Sequence, residues 1–417
     1  MNAEARLAAE AARIPVRPDS PELEQLLAAI RDSAASAKRE GRDLHGTVDL
    51  VRAARLGAFR VPLAEGGGGA SLEQYFAMLI GLAEADADIA HILRAHYWFV
   101  EERLRSRPGP ERDRWLARIV AGDIFGNAMS ELGGSAAVGS WQFETRLTAS
   151  GDAYRLNGTK YYCTGSLYSD WVNVFACRED GTVVSAVIPV GRDGFVLEDD
   201  WDGIGQRLTG SGTGHLRNVE VRPEEILTAA VESSDAASLA DPADPYIIGQ
   251  LCQLILTAII AGILRNVASD AVKLLRGRSR TYAYAAASTP TADPLLQQVV
   301  GEIASAAFAA ESVVLAAAAA QDRAVASLED GKLDFTLAHR GSVLAAQAKV
   351  VVDELAQRAA ARLFDVGGSS AIKQSANLDR HWRNIRTLAS HNPVVYKARA
   401  VGDFLLNGTP LSNSGFF

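Results

Sequence analysis

Between Asp379 and Lys397 the chain reads Asp-Arg-His-Trp-Arg-Asn-Ile-Arg-Thr-Leu-Ala-Ser-His-Asn-Pro-Val-Val-Tyr-Lys. Arg380, Arg383, Arg386 and Lys397 stand here beside His381, His391, Trp382 and Tyr396. A short polar run dense in hydrogen-bond donors, set between apolar helical stretches of an alanine-rich chain, suits a bound anion or cofactor. A solvated interhelical loop would have the same composition. Pro393 can open a new helix, with Ser390 or Asn392 as its cap.

Three smaller clusters place hydroxyl and amide side chains next to glycine. Asn127-Ala-Met-Ser130-Glu131 stands where a helical pattern turns to a β pattern, Tyr162-Cys163-Thr164-Gly165-Ser166 ends a strand, and Trp201-Asp-Gly-Ile-Gly205-Gln206-Arg207 follows another. Glycine permits close backbone approach, so together these segments read as the lining of a site on the ends of neighbouring strands facing helices. His91 and His96 are five apart on one expected helix, hence on different faces, and cannot form an i,i+4 metal pair. No metal site is expected. Neither a G-x-x-x-x-G-K-[ST] loop nor a G-x-S-x-G elbow occurs. Gly210-Ser-Gly-Thr-Gly214 leads into a strand and reads as a hairpin or bulge.

The elements that must hold these residues follow from the rest of the chain. Its 417 residues exceed one small core, and 48% hydrophobic with 22% charged residues is ordinary for a globular protein. A net charge of −8 argues against nucleic acid or an anionic membrane as partner, although Arg276–Arg280 and Arg380–Arg386 could each hold a phosphate. Cys163, Cys177 and Cys252 are scattered, which fits neither a disulfide framework nor zinc and fits a reducing cytoplasm. Residues Met1 to Arg17 lack the apolar core of a signal peptide, and the apolar run Leu251–Leu264, interrupted by Gln253, is expected to be a buried helix too short for a membrane span.

The period of apolar residues is helical from Ser20 to about Gly122, with one helix expected from a Ser71 cap through Leu93. From Asn127 to about Pro223 it changes to two, predicting strands over 143–147, 154–156, 160–163, 172–177, 183–188 and 215–221, with Asn157-Gly158 as a hairpin turn. A polar connection over 226–245 leads to long helices over 247–277, 293–327, 333–363 and 393–406, of which a thirty-residue one would reach about 45 Å. The expected architecture is mostly α with a central β-domain: an N-terminal helical domain over 1–125, a small β-barrel or sandwich over 126–225, and a four-helix bundle over 226–417.

This order of parts resembles the acyl-CoA dehydrogenase fold over essentially the whole chain. The resemblance rests on Val61-Pro62 before Gly66–Gly69, Asn157-Gly-Thr-Lys160 before Cys163-Thr-Gly165, Arg280 after the first long helix, and Val366-Gly367-Gly368 before Arg383-x-x-Arg386. Dehydrogenases of that fold use a glutamate base; one of its two places here reads Ser390-His391-Asn392-Pro393, the other falls near Gln250–Gln253, and no Glu follows Glu354. The chain is more similar to the flavin-dependent monooxygenase branch, the dibenzothiophene monooxygenase and sulfone-monooxygenase-like proteins. That likeness is carried by Asp379-Arg-His-Trp-Arg-Asn-x-Arg386, His391-x-Pro393, Tyr396-Lys397, Leu406-Asn407-Gly408, Asn127-Ala-x-Ser-Glu131 and Asp199-Asp-Trp-x-x-Ile-Gly-Gln206.

The resemblance implies a homotetramer with flavin between β-domain and bundle. Reduced FMN would come from a separate NAD(P)H-dependent flavin reductase and react with O2 to a flavin hydroperoxide that oxygenates a small organosulfur substrate. It assigns His391, His96 and Thr164 to the chemistry, with the histidines as donors to the peroxide. Asn127, Ser130, Cys163, Thr164, Gly165, Trp201, Arg280, Gly367, Gly368, Ser370 and His391 would hold the cofactor, Arg280 as the phosphate clamp reaching a neighbouring subunit's flavin. Ser370 and Lys373 occupy the region where relatives carry a further Arg, and Gly367-Gly368 also resembles an FAD-binding segment. Tyr97, Trp98, Phe99, Trp201 and Asn392 are candidates to line the substrate pocket, although aromatics so placed more often pack in a core. His45, His215 and His339 are assigned to structure or surface. Alternatives are an N-hydroxylase of an amine or amino sugar, an acyl-CoA dehydrogenase with an unrecognised base, and a non-catalytic bundle protein.

Overall fold

The computed structural model describes residues 15–132, 143–227 and 243–413. Most of the connection expected over 226–245, and of the Met1 to Arg17 segment, lies outside them. The chain forms two compact units that interleave in sequence, one of residues 1–71, 88–202 and 207–242, the other of residues 72–87, 203–206 and 243–417.

The first unit begins with helices α1 (Pro21–Arg39) and α2 (His45–Ala53). Ser20 caps α1 by accepting from the Leu23 amide, Pro21 fits its first turn, and Glu22 and Glu24 complement the helix dipole there. Leaving out Leu72–Ala85, which is α3 of the second unit, the chain continues with α4 (Ala87–Ile92), α5 (Arg94–Arg105) and α6 (Pro110–Ala121). The single helix expected through Leu93 is thus broken at Asp86, and His91 and His96 sit on two successive helices.

The strands are β1 (Phe125–Ala128), β2 (Arg146–Ser150), β3 (Ala153–Lys160), β4 (Trp171–Cys177), β5 (Val183–Pro189), β6 (Phe195–Leu197), β7 (Gly214–Val221) and β8 (Ile226–Leu227). They run in the order β6-β7-β3-β2-β4-β5-β8, with β1 parallel to β4. Val172, Val174, Ala176, Val184, Ala186 and Ile188 share one core with Leu147, Leu156 and Val219. Val187 on the opposite face joins Phe99, Trp115 and Ile119 of the helical layer and Phe125 of β1. β4 and β5 are therefore buried on both faces, which is why they read as unbroken apolar runs.

Three strand expectations are corrected. The strand expected over 143–147 lies at β2, and the one over 160–163 is only the end of β3. Asn157-Gly158 is not a hairpin turn: β3 runs through it with a register shift against β7 between Leu156 and Gly158. A Cβ on Gly158 would run into Thr145, so this glycine serves close packing. The β2–β3 hairpin turns instead at Gly151-Asp152, where Gly151 has φ +63°.

In the second unit α7 (Asp244–Gly277), α8 (Pro294–Ala326) and α9 (Phe335–Gly367) pack on one another. α10 (Arg380–Ala389) lies on α7 and α9, and α11 (Val394–Asn407) on α9. α3, from the N-terminal part of the chain, packs on α7 and α8, and its first amides, Leu72 and Glu73, are bound by the Asp322 carboxylate of α8 at 2.7 and 2.8 Å. The helix begins directly after Ser71, and the Asp322 carboxylate satisfies two of its first-turn amides. The Leu251–Leu264 run is part of a helix long and apolar enough to span a membrane, contrary to expectation, but its most apolar window is 94% buried within the protein. The segment around Arg380–Arg386, read as a polar run, is itself helical, and α11 starts at Pro393 with no side-chain cap.

Candidate active site

In the first unit, the turn after β3 gathers one group of expected residues. Tyr162 takes φ +58° and Gly165 φ +81°, and a Cβ on Gly165 would run into the Ile92 carbonyl oxygen. The link between β1 and β3 is made beyond their ends and not by strand pairing. The Tyr161 amide donates to the Ser130 carbonyl at 2.9 Å, and Ser166 Oγ donates to the Asn127 carbonyl at 3.0 Å. Thr164 Oγ1 lies 2.8 Å from Ser211 Oγ, itself 2.7 Å from Thr209 Oγ1, forming a chain of hydroxyls. Tyr162 meets Trp201 edge-on with ring centres 5.8 Å apart. Asn127 is half-buried, and its side-chain amide has no hydrogen-bond partner among the described residues.

Underneath, Lys160 is fully buried and donates to the Met129 carbonyl at 3.0 Å and to Glu131 at 2.7 Å. Glu131 also receives the Thr145 amide and hydroxyl. This pair fixes the Asn127–Glu131 segment against the end of β3, a role sequence reading missed. Cys163 is buried and its thiol is pushed up to about 12 by burial, so it supplies main-chain groups here and no thiolate.

His96 does not fit the donor role expected of it. It is fully buried, its Nε2 donates to the Gly57 carbonyl at 3.0 Å, and its Nδ1 accepts from the Phe125 amide at 3.2 Å. Burial lowers its pKa to about 4, so it is a neutral ring tying α5 to β1. Tyr97 and Phe99 are also core residues. The Tyr97 hydroxyl donates to the Leu56 carbonyl at 2.7 Å, and Phe99 stacks on Phe125 with centroids 4.4 Å apart. Trp98 is half-exposed and stacks on Phe175 at 5.9 Å, which leaves it the one of the three aromatics able to face a ligand. The Ile92 carbonyl abuts Gly165 of the Thr164-Gly165 turn, and His91 precedes Ile92 on α4. Its position became readable only once α4 and α5 were separate helices.

In the second unit His391 is exposed, just beyond the end of α10, and its amide donates to the Leu388 carbonyl at 3.2 Å. Its neighbour Asn392 donates from Nδ2 to Gln253 Oε1 on α7 at 3.1 Å. The two places where dehydrogenases of this fold carry a base are thus bridged by an amide pair. Behind α10, His381 and Arg380 both bind Asp270 of α7, at 3.0 and 2.6 Å, holding that carboxyl well below its usual range. Arg280 is exposed, and its guanidinium has no partner among the described residues. Arg278 donates to the Val366 carbonyl at 2.6 Å, supporting the Gly367-Gly368 turn in which Gly368 takes φ +55° and which closes at Ser370.

These donors suit FMN. An isoalloxazine edge needs hydroxyl and amide partners on a close-approaching backbone, which Asn127, Thr164 and Gly165 of the first unit offer; in the second unit Arg280, a cation with no partner among the described residues, suits a phosphate.

Comparison with known proteins agrees. Residues 126–219 match the acyl-CoA dehydrogenase middle domain and residues 254–396 its C-terminal domain. A dibenzothiophene monooxygenase of Mycolicibacterium goodii is 30% identical over 90% of this chain and 89% of its own. A probable FMNH2-dependent monooxygenase of Pseudomonas putida, SfnC, is 28% identical over 94% of this chain and 96% of its own. The crystal structure of TdsC from Paenibacillus sp. A11-2 with FMN and indole superposes with a TM-score of 0.85 at 27% identity, covering 99% of this chain and all of that one. The chain belongs to the dibenzothiophene monooxygenase family, within the acyl-CoA dehydrogenase fold.

Proposed function

We propose that this protein is the oxygenase of a two-component system that uses reduced FMN and O2 to oxygenate a small organosulfur compound, such as a thiophene, sulfide or sulfone. The observation that carries this reading is the match to a dibenzothiophene monooxygenase along nine-tenths of both chains. The Gln253–Asn392 amide pair supports it against a dehydrogenase, because abstraction of an α-proton needs a basic carboxylate where two amides stand.

Reduced FMN, when bound, supplies the two electrons that allow one oxygen atom to pass to sulfur and the other to leave as water. The chain's own residues bind and orient it. Asn127, Ser130, Thr164 and the Cys163 and Gly165 backbone would meet its ring edge and Trp201 would flank it, while Arg280 would pair with the phosphate of a neighbouring subunit's flavin. Gly367, Gly368 and Ser370 shape the turn that Arg278 supports. His391 would donate to the oxygen-bearing side, and Trp98 and Asn392 would be the residues to border the substrate. A separate NAD(P)H-dependent flavin reductase delivers the reduced flavin.

The exposed Leu295 and Phe308 on alanine-rich α8 support subunit packing in a homotetramer, and three buried free cysteines suit a reducing cytoplasm. The test is an assay with a flavin reductase, NADH, FMN, ¹⁸O2 and dibenzothiophene. Label recovered in a sulfoxide or sulfone supports the proposal; NADH consumption that appears wholly as hydrogen peroxide, with dibenzothiophene and alkyl sulfones alike, refutes it.

A further inference from the structure

A cluster of buried charge lies beside the segment that carries His391. Lys349 on α9 places Nζ 2.8 Å from the Asp353 carboxylate, one turn along the same helix, and 3.3 Å from the main-chain carbonyl of Ala389. Both side chains are 4% exposed. Lys397 on α11 is also buried, and its pKa falls to about 7 through burial first and then the charge of Lys349. The Asp353 carboxyl is raised by burial against the pull of Lys349 and of Arg386 on α10. The charges acting on Asp353 are thus Lys349 and Arg386, and the charge acting on Lys397 is Lys349.

Such a pair is a poor device for stability. Removing two ions from water costs several kcal/mol each, and an apolar pair of similar volume commonly does as well or better. What an apolar pair cannot do is bind a carbonyl. Ala389 is the last residue of α10, so its carbonyl is one of those the helix leaves without an internal partner. A cation there also complements the negative end of the helix dipole. The chain then has only Ser390 before His391. The Ser390 and His391 amides turn back onto the Arg386 and Leu388 carbonyls, and Asn392 is tied to Gln253. Fixing the Ala389 carbonyl fixes the direction in which His391 leaves the helix.

We propose that Lys349, aligned by Asp353, is a positioning residue for His391: its ammonium anchors the Ala389 carbonyl and thereby sets the exit of α10. The inference rests on the oxygenase reading only for the consequence of moving His391, not for the anchoring itself.

The test is the double variant Lys349→Met/Asp353→Leu in the full-length protein, which removes both ions and leaves neither unpaired. It should fold and unfold near the wild-type midpoint. Hydrogen exchange should quicken about tenfold or more at Ser390 and His391 and stay unchanged in the centre of α8. With FMN and reductase present, peroxide released per NADH should rise severalfold, while the FMN dissociation constant shifts less than about twofold, since the ring-edge and phosphate contacts stay in place. Wild-type protection at Ser390 and His391, or an unchanged ratio of product to peroxide in the folded fraction, overturns the proposal. If the double variant does not fold, Asp353→Asn takes its place, keeping the volume and loosening Lys349, with a smaller exchange increase expected in the same segment. Its absence overturns the proposal too. If wild-type protein oxygenates no organosulfur probe, the functional reading fails, and the exchange measurement still decides the anchoring.

Discussion

His96→Leu separates a structural histidine from a catalytic one. In the folded protein both ring nitrogens serve buried backbone groups, the Gly57 carbonyl and the Phe125 amide. Leucine has similar bulk and serves neither. Each orphaned buried group costs about 1–3 kcal/mol, so the variant should lose about 4 kcal/mol of unfolding free energy at neutral pH, read by urea denaturation. The pH dependence gives a second readout. Above pH 6.5 the ring is neutral folded and unfolded alike. Between 6.5 and about 4 the unfolded chain takes up a proton that the folded core refuses, so stability falls with pH across that window. From pH 7.5 to pH 5 the wild type should lose about 2 kcal/mol through this residue alone, and the variant's loss should be smaller by that amount. Folded His96→Leu should keep the wild-type ratio of product to peroxide. A variant as stable as wild type whose turnover ends in peroxide would refute the reasoning and restore His96 to the chemistry.

His391→Ala, at an exposed position, should leave the unfolding midpoint unchanged while most reduced flavin ends as hydrogen peroxide, which a coupled peroxide assay measures. Arg280→Ala should also leave stability unchanged, because its guanidinium has no partner among the described residues. It should weaken FMN binding by about 1.5–3 kcal/mol, the range of a charged hydrogen bond, in a fluorescence titration. Lys160→Met should cost about 3–5 kcal/mol in urea unfolding, because Glu131 and the Met129 carbonyl lose a fully buried partner. Restoration of much of that loss by Glu131→Gln in the same chain would identify the orphaned carboxylate as its source.

The long helices and the doubly buried strands were legible because their apolar period survives burial. α7, α8 and α9 begin and end within a few residues of their expected limits. Glycine misled where two of its uses coincide: at Asn157-Gly158 the pair that marks hairpins serves close packing against Thr145, and the true turn has Gly151. The start of α3 at Leu72 was legible from Ser71, but its partner Asp322, about 250 residues further along, was not. The site divides the same way. The segments around Asn127, Thr164 and His391 were visible as polar types beside glycine or at a helix boundary. His96 and Tyr97 were misread because a histidine or tyrosine bound to main-chain groups looks, in sequence, like one turned toward a ligand. Lys160, Lys349 and Gln253 act through contacts 29 to 139 residues away, which no local pattern records.

The central claim is most directly tested by mixing the anaerobic protein with reduced FMN against oxygenated buffer in a stopped-flow spectrophotometer, with and without dibenzothiophene. The account predicts flavin reoxidation that is slowed relative to free FMN, hastened by dibenzothiophene, and matched by an oxygenated sulfur product. Reoxidation at the rate of free FMN, with peroxide equal to the flavin oxidised and no effect of any organosulfur compound, would contradict it.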